Sequence, residues 1–315
     1  MLKNYPRLKI FLKKVLHSVK TLSPSYRLRF KINRKVAVIL PRLNCIDVGA
    51  SYYPHPAWEV FRMSPKTQWI AVEPNFENLI YVKHWSWPSQ VKSVEIGLSQ
   101  LGGNQTLYVT NVDSGSSLLK PVIEPNMEHR VAYRDYFFPI KEVVINTITL
   151  EETIHKYVSN SDPIAIKLDT QGSEFSILMG ISKDAISKKF ICVELENTLL
   201  AQPFMQGSTP FYTVFEFFES IGFELVHLKP IQLMSPRVRK SLKSSFVLNE
   251  CDAVFLLRGD LAKRRSTDVQ LALIGCYISY KLYGEALHML NHIINDVDSP
   301  SSTKSHCQGI YDLLS

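Results

Sequence analysis

Asp162-Pro163-Ile164-Ala165-Ile166-Lys167-Leu168-Asp169-Thr170-Gln171-Gly172-Ser173-Glu174-Phe175 is the stretch that decides the fold. Ile164, Ala165, Ile166 and Leu168 form a short, nearly continuous apolar run, the pattern of a strand covered by helices on both faces. Pro163 is tolerated at the first strand position. Asp169 follows at once, so its carboxylate emerges at the carboxyl end of the strand, where open α/β sheets hold their ligands. Gly172 allows a tight turn, Ser173 can cap the following helix, and Glu174 suits its positive first turn. Phe175, Leu178 and Met179 continue at helical spacing until Gly180 offers a stop. Asp169 and Glu174 can serve simply as a cap and a counter to the helix dipole. An acid at the end of a buried parallel strand is nonetheless where chemistry is commonly placed, which makes Asp169 the first catalytic candidate and Glu174 the second.

Working outward, Leu43 to Val48 reads as a buried strand ending in Asp47-Val48-Gly49-Ala50-Ser51. A strand, a glycine and a helix can cradle a nucleotide-like ligand, because glycine admits close backbone approach and helix amides face the ligand. Asp47, Gly49, Ala50 and Ser51 are therefore cofactor-binding candidates. G-x-G-x-x-G is absent, which disfavours a dinucleotide and leaves room for a smaller adenosyl ligand. Gln68 to Val72 is a second strand, ending in Glu73-Pro74-Asn75, with Glu73 lying 24 positions after Gly49. A carboxylate at that spacing can accept from both ribose hydroxyls, so Glu73 and Pro74 join the same set. Val91 to Ile96 supplies a third strand, after which Gly97 and Leu98 would lie against the base. The polar loop Ser114-Gly115-Ser116-Ser117-Leu118 could cover a site, making Ser116 and Ser117 substrate-binding candidates.

Val143 to Ile148 has strand character, and Thr149 to Tyr157 reads as a helix with Glu151 and Glu152 in its first turn. Phe190 to Leu195 is a further strand whose end carries Glu194 and Glu196, pointed to the same side by strand alternation. A Phe-rich helix over 210–221 leads to a strand beginning near Phe223, and Cys251 to Leu257 is the last. Strands separated by helices imply a mostly parallel, layered sheet. Beyond residue 262 the pattern becomes two helices, Asp268 to Tyr283 and Glu285 to Val297, divided at Gly284. Such a hairpin cannot bury both faces alone and must pack on the main domain or on a second copy in a homo-oligomer.

The chain has 315 residues, 45% hydrophobic and 21% charged, enough for one large α/β domain with an appendage. The five cysteines are far apart, without the spacing of a zinc site or disulfide framework, which suits a reducing cytoplasm. Residues 1–46 carry twelve Lys or Arg and no Asp or Glu, leaving 24 basic against 29 acidic residues elsewhere. The basic character therefore belongs to an N-terminal arm. Ile10, Phe11, Val15 and Leu16 give it a weak amphipathic pattern, and Lys13 and Lys14 interrupt any hydrophobic run. A solvated leader or peripheral contact with an anionic membrane surface both fit.

Taken in order, Ile46-Asp47-Val48-Gly49-Ala50, Val72-Glu73-Pro74-Asn75, the Ser-Ser-Leu at 116–118, Lys167-Leu168-Asp169-Thr170-Gln171-Gly172-Ser173-Glu174 and Cys192-Val193-Glu194-Leu195-Glu196 resemble the FkbM-type family of S-adenosylmethionine-dependent O-methyltransferases. The resemblance spans about residues 43–257. It implies an α/β, Rossmann-like doubly wound sheet of seven strands, the last antiparallel, with S-adenosyl-L-methionine as cofactor and a sugar or polyketide-like hydroxyl as acceptor. The expected organisation is a basic arm over 1–42, a methyltransferase domain over 43–260, and a helical hairpin with a tail over 261–315. The loop after Gly49, with Tyr52, Tyr53 and His55, departs from the Asn and second Gly that relatives often carry. A sulfonium methyl is already activated, so the protein must align an acceptor oxygen and remove its proton. Asp169 is the best-placed base; Glu174, or the substrate-binding candidates Glu194 and Glu196, could orient the acceptor. No dedicated metal-ligand spacing is present. A nucleic-acid methyltransferase is disfavoured because the positive charge lies outside the sheet and no Asn/Asp-Pro-Pro-Tyr/Phe stretch occurs. A non-catalytic scaffold is disfavoured by Gly49, Glu73 and Asp169 together, and an NAD-linked oxidoreductase by the missing glycines.

Overall fold

The computed structural model describes residues 23–50, 55–82, 90–122, 137–159, 162–199, 204–232 and 248–315. Its strands are β1 (Leu43–Val48), β2 (Thr67–Val72), β3 (Gln90–Val94), β4 (Gly97–Leu98), β5 (Gly103–Thr110), β6 (Pro139–Ile148), β7 (Ile164–Leu168), β8 (Phe190–Thr198), β9 (Phe223–Gln232) and β10 (Leu248–Leu257). Between and around them lie α1 (Pro24–Ile39), α2 (Glu59–Arg62), α3 (Phe76–Val82), α4 (Leu150–Tyr157), α5 (Glu174–Leu178), α6 (Lys183–Lys189), α7 (Phe211–Ser220), α8 (Gly259–Ala262), α9 (Thr267–Ser279), α10 (Tyr283–Asn295) and α11 (Ser301–Leu314).

Seven strands form the main sheet in the order β3-β2-β1-β7-β8-β10-β9. All pairings are parallel except those of β10, which runs antiparallel to both β8 and β9. This is the doubly wound sheet of seven strands with one reversed strand that the family resemblance implies. Every residue of β1 is buried, and β7 and β8 are buried almost throughout, as strands covered on both faces must be. The chain leaves β1 toward β2 and β3 on one side and reaches β7 and β8 on the other. The strand order therefore reverses between β1 and β7, and a crevice opens at their carboxyl ends.

The strand expected at Val143 to Ile148 is present but belongs elsewhere. It is the end of β6, which pairs with β4 and β5 in a separate three-stranded sheet. Its burial alternates, with Val144 68% exposed while Thr147 is buried, so only one of its faces is covered. A half-exposed strand suits a flap laid beside the main sheet, not its doubly covered interior.

From Pro24 onward the basic N-terminal stretch is part of the packed structure. Ser23 caps α1 by accepting from the Tyr26 amide at 3.2 Å, and Ile32, Val36, Ile39 and Leu40 enter the main core. The C-terminal region holds three helices instead of a hairpin and tail, because 301–314 is helical and buries Cys307 and Ile310. Residues 270–278 of α9 are all buried, the signature of a helix surrounded by protein. A Cβ on Gly275 would sit 2.7 Å from the Phe61 ring and 2.9 Å from Leu40, so the glycine sets how closely α9 approaches α1 and α2. Trp58 donates from Nε1 to the Tyr280 hydroxyl at 2.7 Å, tying the same bundle to the loop after β1.

Leu40, fully buried between α1, α9 and the sheet, tests whether this packing carries stability. Leu40→Ala is expected to cost about 2–5 kcal/mol, read as a lowered urea midpoint with unchanged slope. A loss below about 0.5 kcal/mol would mean that α1 is peripheral to the fold.

Candidate active site

The crevice at the switch point is a cleft of about 520 Å³, within the usual range for small-ligand sites. Its wall follows the strand order. Ile96, Gly97 and Leu98 come from the end of β3 and from β4, Glu73 and Pro74 from beyond β2, Gly49 from beyond β1, Asp169 and Gln171 from beyond β7, and Glu196 from β8. The inner face of the side sheet, through Leu107, Val109, Val143 and Ile145, closes it with an apolar wall. The cleft thus has one side on β1 to β3 and an acidic side on β7 and β8.

Gly49 has φ +79°, and its amide and that of Ala50 both donate to the Val72 carbonyl, at 3.0 and 3.2 Å. A Cβ on Gly49 would lie 2.0 Å from the Asp169 carbonyl oxygen. The glycine is needed because the backbones leaving β1 and β7 cross there, which brings the Glu73 and Asp169 ends of the cleft together. Glu73 is buried and accepts from the Asn75 amide at 2.8 Å through Oε1. Gly97 has no room for a side chain, since a Cβ would meet Ile145 at 2.9 Å. Asn78, in α3, lines the same side, and its Oδ1 is buried without a hydrogen-bond partner. A side-chain acceptor left open in a buried wall suits a ligand N–H. Together, a strand-end carboxylate, two positions without room for a Cβ and an open amide oxygen fit an adenosyl group.

On the acidic side, Asp169 projects into the cleft with 42% of its side chain exposed. Its Oδ2 accepts from Lys167 Nζ at 3.0 Å and its Oδ1 from Gln171 Nε2 at 3.1 Å. Burial alone would push this carboxyl up, but the Lys167 ammonium and the Gln171 bond outweigh it and hold it below the ordinary value. Gln171 also donates to Glu196 Oε2 at 2.7 Å. Burial, joined by the charges of Asp169, Glu250, Glu174 and Asp252, pushes the Glu196 carboxyl well up. Two carboxyl groups bridged by one amide are therefore pushed in opposite directions, Asp169 toward the ionised form and Glu196 toward the protonated one. Gln171 pays with backbone strain, having φ +60° without being glycine.

Lys167 explains how the ionised Asp169 is kept. It lies at 3.6 Å from Asp47 Oδ1 as well as 3.0 Å from Asp169 Oδ2. Burial would lower its pKa, but the two carboxylates reverse that and hold it above the usual lysine value. Asp47, Lys167 and Glu194 are direct register partners across β1, β7 and β8. Glu194 in turn meets His55 Nε2 at 2.8 Å and accepts from the Tyr280 hydroxyl.

Several sequence expectations change here. Glu174 does not face the cleft: its carboxylate accepts from the Thr170 amide at 2.7 Å and from the Gly172 amide at 2.9 and 3.0 Å, so it ties the turn after Asp169. Ser173 makes no side-chain cap, and its hydroxyl meets Thr170 Oγ1 at 2.9 Å instead. Glu194 does not line the cleft and is held by His55 and Tyr280. Asp47 and Ala50 are buried behind the cleft wall, Asp47 against Lys167. Ser116 and Ser117 do line the cleft, but their hydroxyls serve the loop. Ser116 accepts from the Thr110 amide at 3.2 Å, and Ser117 donates to the Gln171 carbonyl at 2.8 Å. Gly49, Glu73, Pro74, Gly97, Leu98, Asp169 and Glu196 stand on the cleft as expected. Ser51 lies outside the described residues, with Tyr52 and Tyr53. Lys167, Gln171 and Asn78 had no role assigned from sequence; for Lys167 the signal was a lone cation within a buried apolar strand, which needs carboxylate partners.

The sheet order and the switch-point cleft define a methyltransferase-type α/β domain, and a family match agrees. Residues 47–225, more than half of the chain, match the family described as the methyltransferase FkbM domain. The chain therefore belongs to the FkbM methyltransferase family, an S-adenosylmethionine-dependent class. No curated protein matches it significantly. Among solved structures it is similar to a precorrin-6y C5,15-methyltransferase from Geobacter metallireducens, at 13% identity over 75% of this chain and 92% of that one, with TM-score 0.33. It is also similar to a methyltransferase of Thermobifida fusca described as putative in its own title, at 10% identity over 78% and 88% of the two chains, with TM-score 0.35. A TehB-like SAM-dependent methyltransferase from Corynebacterium glutamicum shares 11% identity over 72% and 87%, with TM-score 0.30.

Burial pushes the Glu174 carboxyl from its ordinary 4.5 up to about 7, although its amide bonds pull the other way. The folded chain then holds this proton more tightly than the unfolded chain does. That contribution, at most roughly 3 kcal/mol, is present in full below the unfolded value and is lost as pH rises through the folded one. Urea melts are expected to show the wild-type advantage over Glu174→Gln shrinking between pH 4.5 and 8. Parallel pH profiles would remove Glu174 as the source.

Proposed function

We propose that this protein transfers the methyl group of S-adenosyl-L-methionine to a hydroxyl of a glycan or another small polyhydroxylated acceptor. The observation that carries the reading is the Asp169–Gln171–Glu196 arrangement on the acidic side of a cleft whose other side suits an adenosyl group. When bound, S-adenosyl-L-methionine supplies an activated methyl on a sulfonium, so the protein has only to bind, orient and deprotonate. Glu73 accepts from the ribose hydroxyls, and Asn78 Oδ1 accepts from a donor N–H on the base side. Asp169, kept ionised by Lys167, accepts the proton of the acceptor hydroxyl as its oxygen gains the methyl. Glu196, pushed toward its protonated form by burial and its acidic neighbours, hydrogen-bonds a neighbouring acceptor oxygen and so orients the hydroxyl toward Asp169. Gln171 holds the two carboxyl groups at a fixed separation. Carboxyl groups of this kind suit a polyhydroxylated acceptor, whose hydroxyls are donors and acceptors alike.

Calorimetric titration with S-adenosyl-L-methionine tests the donor side first. Glu73→Ala is expected to weaken donor binding about 10- to 100-fold through the loss of hydrogen bonds to a charged group. Asp169→Asn is expected to retain the donor within about threefold and to lower turnover by about 10²- to 10⁴-fold on any glycan found to be methylated. The product should be an alkali-stable methyl ether. An alkali-labile ester would move the acceptor group from hydroxyl to carboxylate, and absence of donor heat in the wild-type protein would sink the reading altogether.

A further inference from the structure

The outward face of α1 is largely exposed. Its inward residues, Tyr26, Ile32, Asn33, Val36, Ala37 and Ile39, are buried against the protein. At about 100° per residue the remaining arc runs through Phe30, Arg34, Arg27, Val38, Lys31, Pro24, Lys35 and Leu28, and of these Lys35 donates to the Gly309 carbonyl at 3.1 Å. Arg27, Lys31 and Arg34 thus form a cationic ridge in its middle, with Val38 among them and Phe30 and Leu28 at its two margins. Those three apolar side chains are conspicuously open, at 60%, 40% and 48% exposure. The helix contains no Asp or Glu, and the 22 residues before Ser23 add six more Lys or Arg with none either.

From this face we infer that the protein docks peripherally on an anionic membrane surface. Charge complementarity selects a polyanionic partner, and the apolar side chains select among polyanions. A phosphate backbone is satisfied by the ridge alone and offers nothing to Leu28, Phe30 and Val38, whereas the headgroup and acyl boundary of a bilayer takes both components of an amphipathic helix lying flat. No described helix is long and apolar enough to cross a membrane, so the contact is with the surface. The inference is independent of the methyl-transfer reading, since none of these residues lines the cleft.

Co-sedimentation of the full chain with vesicles tests it directly, at 0.1 M salt. Vesicles of phosphatidylcholine with about one-third phosphatidylglycerol provide the anionic surface, vesicles of phosphatidylcholine alone the neutral one, and an RNA oligonucleotide the competing polyanion. Binding to the anionic vesicles only is expected. The triple variant Arg27→Gln, Lys31→Gln, Arg34→Gln should weaken it about 100-fold, at about fivefold per cation. The double variant Phe30→Ser, Val38→Ser, with charge unchanged, should weaken it about tenfold. Thermal melts confirm that these exposed substitutions leave the fold intact. Equal partition onto both vesicle types, an unaffected triple variant, or RNA binding with no loss in the double variant would each overturn the inference.

Discussion

The placement of one buried cation organises the centre of this molecule. Lys167 sits within β7, between strands that carry Asp47 on one side and Glu194 on the other, and two residues before Asp169. An unpaired ammonium there would be very costly, and removing either close partner of such a pair typically costs about 3–5 kcal/mol. The requirement ties the register of β1, β7 and β8 to the state of the cleft. It also makes Asp169 both a structural counter-ion and an exposed carboxylate, a combination that keeps it ionised where a buried acid would otherwise take up a proton.

The acids around the cleft look alike in sequence and are spent in different ways. Glu174 satisfies the amides of the turn, Glu194 anchors the appended bundle through Tyr280 and the loop after β1 through His55, and Asp47 balances Lys167. Glu73, Asp169 and Glu196 remain on the cleft wall. The division follows from what lies opposite each carboxylate: backbone amides, a hydroxyl and an imidazole, an ammonium, or open space. Tyr280 lies outside the residues that match the family, so the C-terminal bundle contributes a contact to Glu194 from beyond the matched stretch.

The architecture was legible because its signals are local. Uninterrupted apolar runs at Ile164 to Leu168 and Phe190 to Leu195 mark doubly covered strands, and Gly49 and Gly172 mark turns with φ of +79° and +103°. The half-exposed β6 was legible as a strand but not as part of a second sheet, because strand character says nothing about which strand pairs with which. The helix at Ser301–Leu314 was missed, and the burial of Cys307 and Ile310 against neighbours far away in sequence is what stabilises it.

By itself, then, the sequence determined the parallel α/β class and the place of Gly49, Glu73 and Asp169 at the carboxyl ends of its strands. Those features depend on periodicity, strand ends and backbone conformation, which neighbouring residues decide. The tertiary structure alone decided which acids face the cleft and which are consumed, and that Lys167 and Gln171 hold the Asp169 carboxyl down while burial and neighbouring carboxylates push Glu196 up. It also decided that half of a basic arm is a core helix with one face left outward. Each of those depends on partners brought together from separate strands and helices, and the electrostatic state of a carboxylate is a property of its surroundings, not of its position in the chain.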